Sequence, residues 1–68
     1  MQTLKEFGKT VREIRKTKGL SQKQLEEKSS LNYNYIGAVE RGERNLSLKS
    51  IQKIAQGLDV KIHALFDF

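Results

Sequence analysis

The 68 residues carry 13 Lys and Arg against 8 Asp and Glu, a net charge of +5 with a pI near 9.8, a balance that favours a polyanionic partner. A chain this short is one domain, residues 1–68, which buries only about 60% of its unfolded surface, so its stability margin is thin and a dimer contact would matter. The absence of Cys removes any disulfide framework or thiolate metal site and fits a reducing, cytoplasmic setting, and the N-terminal run MQTLKEFGKTVREIRK is too charged and periodic for a signal peptide or membrane span.

There is no Pro, no internal repeat and no low-complexity run. Apolar residues recur at helical spacing and no sustained alternation appears, so the predicted class is all-α with five helices. The first is expected from Leu4 to Thr17, with Thr3 and Glu6 at capping-box spacing, an inward stripe of Phe7, Val11 and Ile14, and Gly19 as its stop. The second starts at Ser21, with Gln24 three residues on, ends near Lys28 and buries Leu25. The third runs from the N-cap Asn32 to about Arg41, points Ile36 and Val39 inward, and is stopped by Gly42. Ser47 caps a fourth that buries Leu48, Ile51, Ile54, Ala55 and Leu58, and a short fifth spans Ile62 to Phe66. Every connection is a few residues long, as in a compact helical domain.

The segment from Gly19 to Leu48 is the most informative part of the chain: two short helices joined by a tight turn, then a basic loop and a new helix start. Tyr33, Asn34, Gly37 and Ala38 lie on a face of the third helix that no apolar core needs, which suits the major groove of DNA. The runs FGKTVREIRKTKGLSQKQL and YIGAVERGERNLSLKSIQKIAQGLDV closely resemble the lambda-repressor-like helix-turn-helix family, also called the Cro or xenobiotic-response-element family. The resemblance extends from about Leu4 to Leu65 and rests on Arg15, Gly19-Leu20-Ser21-Gln22, Leu25, Ile36, Glu40-Arg41-Gly42 and Leu48 to Ala55, all in order. The portion NYNYIGAVERGERNLSLKS also looks like restriction–modification controller proteins.

The resemblance implies a compact five-helix DNA-binding domain with the helix-turn-helix at helices 2 and 3. It places Tyr33, Asn34, Gly37 and Ala38 at base-reading positions. Asn can bond adenine bidentately, an Ala methyl can touch the thymine methyl, and Tyr33 offers a hydroxyl and a ring. Gly37 costs about 1 kcal/mol against Ala inside a helix; one reading is close approach of the backbone to DNA, the other a tolerated small residue. Gln22, Arg44, Asn45 and Lys49 are implied backbone contacts, with Lys23, Arg41 and Arg12 of second rank, the helix N-termini adding donors for phosphate. Tyr35 either packs at the helix edge or reaches the DNA backbone. Arg15 and Glu40, on inward-leaning positions of the first and third helices, are implied to form an ion pair, since a partly buried charge needs a partner.

The chain departs from the family pattern at three places. Glu26 stands where a small residue, often Ala, is usual; Ser30 stands where the turn usually has Gly; Leu46 stands where many members have Pro. A left-handed Ser costs about 1–2 kcal/mol, or else the turn differs. At the C-terminal end Ile62, Leu65, Phe66 and Phe68 form a dense apolar group. One face closes the core, and Ile62, Leu65, Phe66 and Phe68, chiefly Phe66 and Phe68, are read as a two-fold dimer contact, against the alternative that Phe66 is core and Phe68 frays. A dimer would set two recognition helices about one DNA turn apart on a roughly palindromic site.

His63 is the lone histidine, and no metal-ligand cluster, activated nucleophile or phosphate loop appears, so neither an enzyme nor a cofactor, metal or small-molecule ligand is expected. The functional expectation is a sequence-specific double-stranded DNA-binding transcription regulator, a cytoplasmic homodimer of prokaryotic, phage or plasmid origin, autoregulatory in the manner of a restriction–modification controller or phage repressor. The alternative, from another class, is a protein-interaction module such as an antitoxin.

Overall fold

Caps and stops written into the sequence cut the chain into four α-helices and a final single turn. The computed structural model describes residues 2–68: α1 (Gln2–Thr17), α2 (Gln22–Ser29), α3 (Tyr33–Glu40), α4 (Leu48–Leu58) and a 3₁₀ helix (Ile62–Phe66). The expected fifth α-helix is therefore a 3₁₀ turn; the Ala64 N–H reaches back three residues to the Lys61 carbonyl at 3.0 Å. Helix α1 already includes Thr3, so the Thr3–Glu6 spacing does not mark its start.

The other starts are capped by side chains. Ser21 Oγ accepts the Gln24 N–H at 3.0 Å while Gln24 Oε1 accepts the Ser21 N–H at 2.8 Å, a complete capping box for α2. Asn32 Oδ1 accepts the Asn34 N–H at 2.7 Å, and Ser47 Oγ accepts the Ser50 N–H at 3.1 Å. Each such cap stabilises its helix by about 1 kcal/mol.

The helix ends turn left-handed. Gly19 (φ +73°) and Gly42 (φ +74°) close α1 and α3 with paired bonds, Gly19 to Lys16 and Leu20 to Arg15, then Gly42 to Val39 and Glu43 to Ala38. Ser30 (φ 64°) and Asp59 (φ 58°) adopt the same conformation without being Gly, at about 1–2 kcal/mol each. The Ser30 N–H recovers a bond to the Glu26 carbonyl at 2.9 Å.

Helix α1 packs on α3, and α2 packs on both α3 and α4. Phe7, Val11, Leu25, Ile36, Val39, Ile54, Ala55, Leu58 and Leu65 form the buried core between them. Two crossings depend on glycine. A Cβ on Gly8 would overlap the Val39 carbonyl and lie 2.8 Å from the Glu40 carbonyl oxygen, and one on Gly57 would lie 2.9 Å from both Leu25 Cδ1 and Ser29 Cβ. At Gly8 the helices thus approach backbone to backbone, and at Gly57 backbone to side chain, with no space to spare.

Leu48 differs from expectation: it is 75% exposed. It lies on the same stripe as Ile51, Ala55 and Leu58, but Ser47, Leu48 and Lys49 are all exposed, so the first turn of α4 overhangs the body. Among the described residues no helix is long and apolar enough to cross a membrane, and no group of acidic, His or Cys side chains could hold a metal ion.

Candidate nucleic-acid interface

The rear of α3 is fixed by a buried polar node. Arg15 from α1 and Glu40 from α3 meet as a two-pronged pair, Nε to Oε2 at 2.7 Å and Nη2 to Oε1 at 3.0 Å. Arg15 Nη1 also donates to the Leu20 carbonyl at 2.7 Å, tying in the turn after α1. Gln22 Nε2 from α2 donates to Glu40 Oε1 at 3.0 Å. One carboxylate therefore joins three helices. Among the described residues no buried side-chain polar atom is left without a partner, the condition under which a buried charge pair is tolerable. Gln22 is half-buried in this node rather than a free surface amide.

Tyr33 and Asn34, at the front of α3, are exposed, and Ala38 is half-buried. Gly37 is a correction to the sequence reading: it is buried, and a Cβ there would meet Arg41 Nη1 at 3.2 Å and the Gln22 amide at 3.5 Å and 3.6 Å. Its missing side chain admits Gln22 and Arg41 and is covered from solvent by them. The outward patch is thus Tyr33, Asn34 and part of Ala38.

Helix α2 grips the first residue of α3 twice. Glu26 Oε1 accepts the Tyr33 N–H at 2.9 Å, and Lys23 Nζ lies 5.0 Å from the Tyr33 ring centre. Tyr35 is half-buried against the core while its ring carries the Arg44 guanidinium at 4.9 Å. Arg41 ends α3 and pairs with Glu43 at 3.0 Å in the open. Arg44, Asn45 and Lys49 are exposed along the loop and the start of α4, and Arg12 is exposed on α1. Basic side chains thus lie on α3, Lys23 over the Tyr33 ring and Arg44 over the Tyr35 ring, and Lys49 is exposed at the start of α4.

The C-terminal apolar group divides. Leu65 is a correction: it is fully buried in the core, so it has no surface to offer a partner. Ile62 (38%), Phe66 (44%) and Phe68 (53%) remain exposed. Phe66 stacks on Phe7 with ring centres 5.0 Å apart and on Phe68 at 6.4 Å, so the three rings form one continuous apolar strip from core to surface.

Sequence reasoning missed Glu26 as a cap for α3, because its partner N–H is seven residues away across the turn. It also missed Gly8, which nothing but a backbone contact from another helix distinguishes from a tolerated helical Gly.

Comparison with known proteins follows the same lines. Residues 11–65 match the family described as Helix-turn-helix. The control protein C.BamHI of Bacillus amyloliquefaciens is 44% identical over 63 residues, covering 91% of this chain and 78% of that protein. The crystal structure of the restriction-modification controller protein C.AhdI from Aeromonas hydrophila superimposes with a TM-score of 0.94 at 47% identity, covering 97% of this chain and 100% of that one. The controller C.Esp1396I, solved as a tetramer in complex with its natural 35 base-pair operator, superimposes with a TM-score of 0.91 at 36% identity, covering 98% of this chain and 88% of that one.

Proposed function

We propose that this chain, which belongs to the helix-turn-helix family and within it to the restriction–modification controller proteins, is a sequence-specific double-stranded DNA-binding regulator of transcription. The observation that carries the reading is the front of α3. Tyr33 and Asn34 are exposed at the tip of a helix whose rear is locked to two others, with Lys23 over the Tyr33 ring and Arg44 over the Tyr35 ring. A rigid helix tip with polar side chains suits base edges in the major groove, and basic side chains suit the phosphates beside it.

In this reading Asn34 and Tyr33 read base edges and the Ala38 methyl touches the groove wall. Lys23, Arg44, Asn45 and Lys49 hold phosphates, and the N–H groups at the α2 and α4 starts add donors. Gln22 has a second amide proton to give a phosphate while the first stays on Glu40. Arg41 reaches the backbone by letting go of Glu43, an exposed pair that contributes no more than about 1 kcal/mol. Tyr35 serves from the helix edge with Arg44. The protein acts in the cytoplasm as a homodimer through Ile62, Phe66 and Phe68, on a pseudo-palindromic operator, and regulates its own gene within a restriction–modification circuit. With specific affinity of about 10⁻⁸–10⁻¹¹ M, binding falls steeply as salt rises.

Selection of bound duplexes from a random pool tests this. A two-fold symmetric motif is expected; an unenriched pool would rule the reading out. Sedimentation showing only monomer at tens of micromolar would remove the dimer.

A further inference from the structure

Helix α3 differs from its neighbours in how its first N–H groups are used. The starts of α2 and α4 are capped by the uncharged hydroxyls of Ser21 and Ser47. At α3 the Asn32 amide takes the Asn34 N–H, and the Tyr33 N–H is taken by the carboxylate of Glu26, a half-buried residue of the preceding helix. A helix N-terminus attracts anions, and beside a duplex the available anion is phosphate. Here the chain supplies its own anion at that place.

We infer that Glu26 is a specificity-determining residue of the DNA interface: its carboxylate closes the front of α3 to phosphate, so that this helix gains on DNA only where its side chains meet matching base edges. The inference rests on the DNA-binding reading above. On a non-matching duplex nearly all binding comes from phosphates. A carboxylate fixed at the helix tip occupies the Tyr33 N–H and offsets the pull of Lys23, so a phosphate gains little at the start of α3 itself. On a matching duplex the same tip lies in the groove against base edges, where its residues make their contacts. The charge of Glu26 therefore weighs more on the wrong sequence than on the right one. Its hydrogen bond, with Lys23 over the ring, also holds Tyr33 in a single place.

The test separates the charge from the hydrogen bond. Glu26→Gln keeps an oxygen for the Tyr33 N–H and loses the charge; Glu26→Ala loses both. The probes are a duplex bearing the motif that the unaltered chain selects from a random pool, and a scrambled duplex of equal length and composition. With Glu26→Gln, affinity for the scrambled duplex rises about fivefold at low salt, the worth of one nearby charge in water. Affinity for the motif changes less, so discrimination falls. The slope of log K against log salt on the scrambled duplex steepens by no more than about 0.9, the value for one phosphate that Lys23 neutralises once the neighbouring carboxylate is gone. Glu26→Gln melts slightly below the unaltered chain, having lost the charge but not the hydrogen bond, and Glu26→Ala melts lower still. A Glu26→Gln chain with unchanged discrimination and unchanged salt slope would overturn the inference and leave Glu26 a structural cap. Failure of the unaltered chain to select any motif is a separate result, which overturns the DNA-binding reading and this inference with it.

Discussion

The two ends of α3 live in opposite surroundings. At the rear, Val39 and Glu40 are buried, Gly8 of α1 rests on their carbonyls, and Arg15 and Gln22 converge on one carboxylate. At the front, Tyr33 and Asn34 stand in solvent, and their side chains contribute nothing to the core. A helix of eight residues is too short to hold itself in water. Its exposed turn can keep a fixed direction only because the buried turn is over-determined. The contrast predicts that substitutions at the rear destroy stability, and recognition with it, whereas those at the front change recognition alone.

The largest effect is expected at Glu40. Glu40→Ala leaves the Arg15 guanidinium buried without its partner and costs about 3–5 kcal/mol. For a domain of this size each kcal/mol moves the melting temperature by about 4–8 °C, so the variant lies near the edge of folding. Replacing both Arg15 and Glu40 by Met costs less than Glu40→Ala alone, because no charge is stranded. A thermal double-mutant cycle that finds no coupling between the two positions would sink the view that this pair fixes the rear of α3.

Gly8→Ala comes next. The added methyl meets backbone carbonyls, which cannot rotate aside, and overpacking of this kind costs about 1–3 kcal/mol. Urea unfolding measures it. An unchanged midpoint would mean that α1 slides on α3 at little cost, and the rigid rear would lose its main support.

How far these ends could be read from the sequence depends on the distance over which each feature is decided. Caps are local, so Ser21 with Gln24, Asn32, Ser47, Gly19 and Gly42 declare themselves, and the structure has each at a helix end. Arg15 and Glu40 could be paired through family resemblance and the cost of a lone buried charge. Leu48 misled because helical spacing assigns a face and says nothing of where the neighbouring body ends. Leu65 could not be told from Ile62, Phe66 and Phe68, since which of four neighbouring apolar residues meets the core is set by how the last turn docks on the body and not by their spacing. At Gly37 the sequence leaves close approach to DNA and a tolerated small residue open, and the cover by Gln22 and Arg41 is set by helix–helix placement. The departures at Glu26 and Ser30 were visible as departures, but what Glu26 does there required the turn itself, with Ser30 left-handed and the Tyr33 N–H brought to the carboxylate.

The smallest effect on folding belongs to the front, and there the contrast is sharpest. Among the described residues the Asn34 side chain makes no hydrogen bond; only its backbone N–H is held, by Asn32. Asn34→Ala therefore keeps the cap and shifts unfolding free energy by no more than about 0.5 kcal/mol in either direction. On the selected duplex it removes a bidentate base contact and costs about 1–3 kcal/mol of discrimination, while affinity for a scrambled duplex stays the same because no phosphate contact is lost. Tyr33→Ala is a less clean probe, since it also removes the ring beneath Lys23. Equal losses on the selected and scrambled duplexes after Asn34→Ala would assign Asn34 to the sugar–phosphate backbone. An unchanged affinity for both would move the reading surface off the front of α3 altogether.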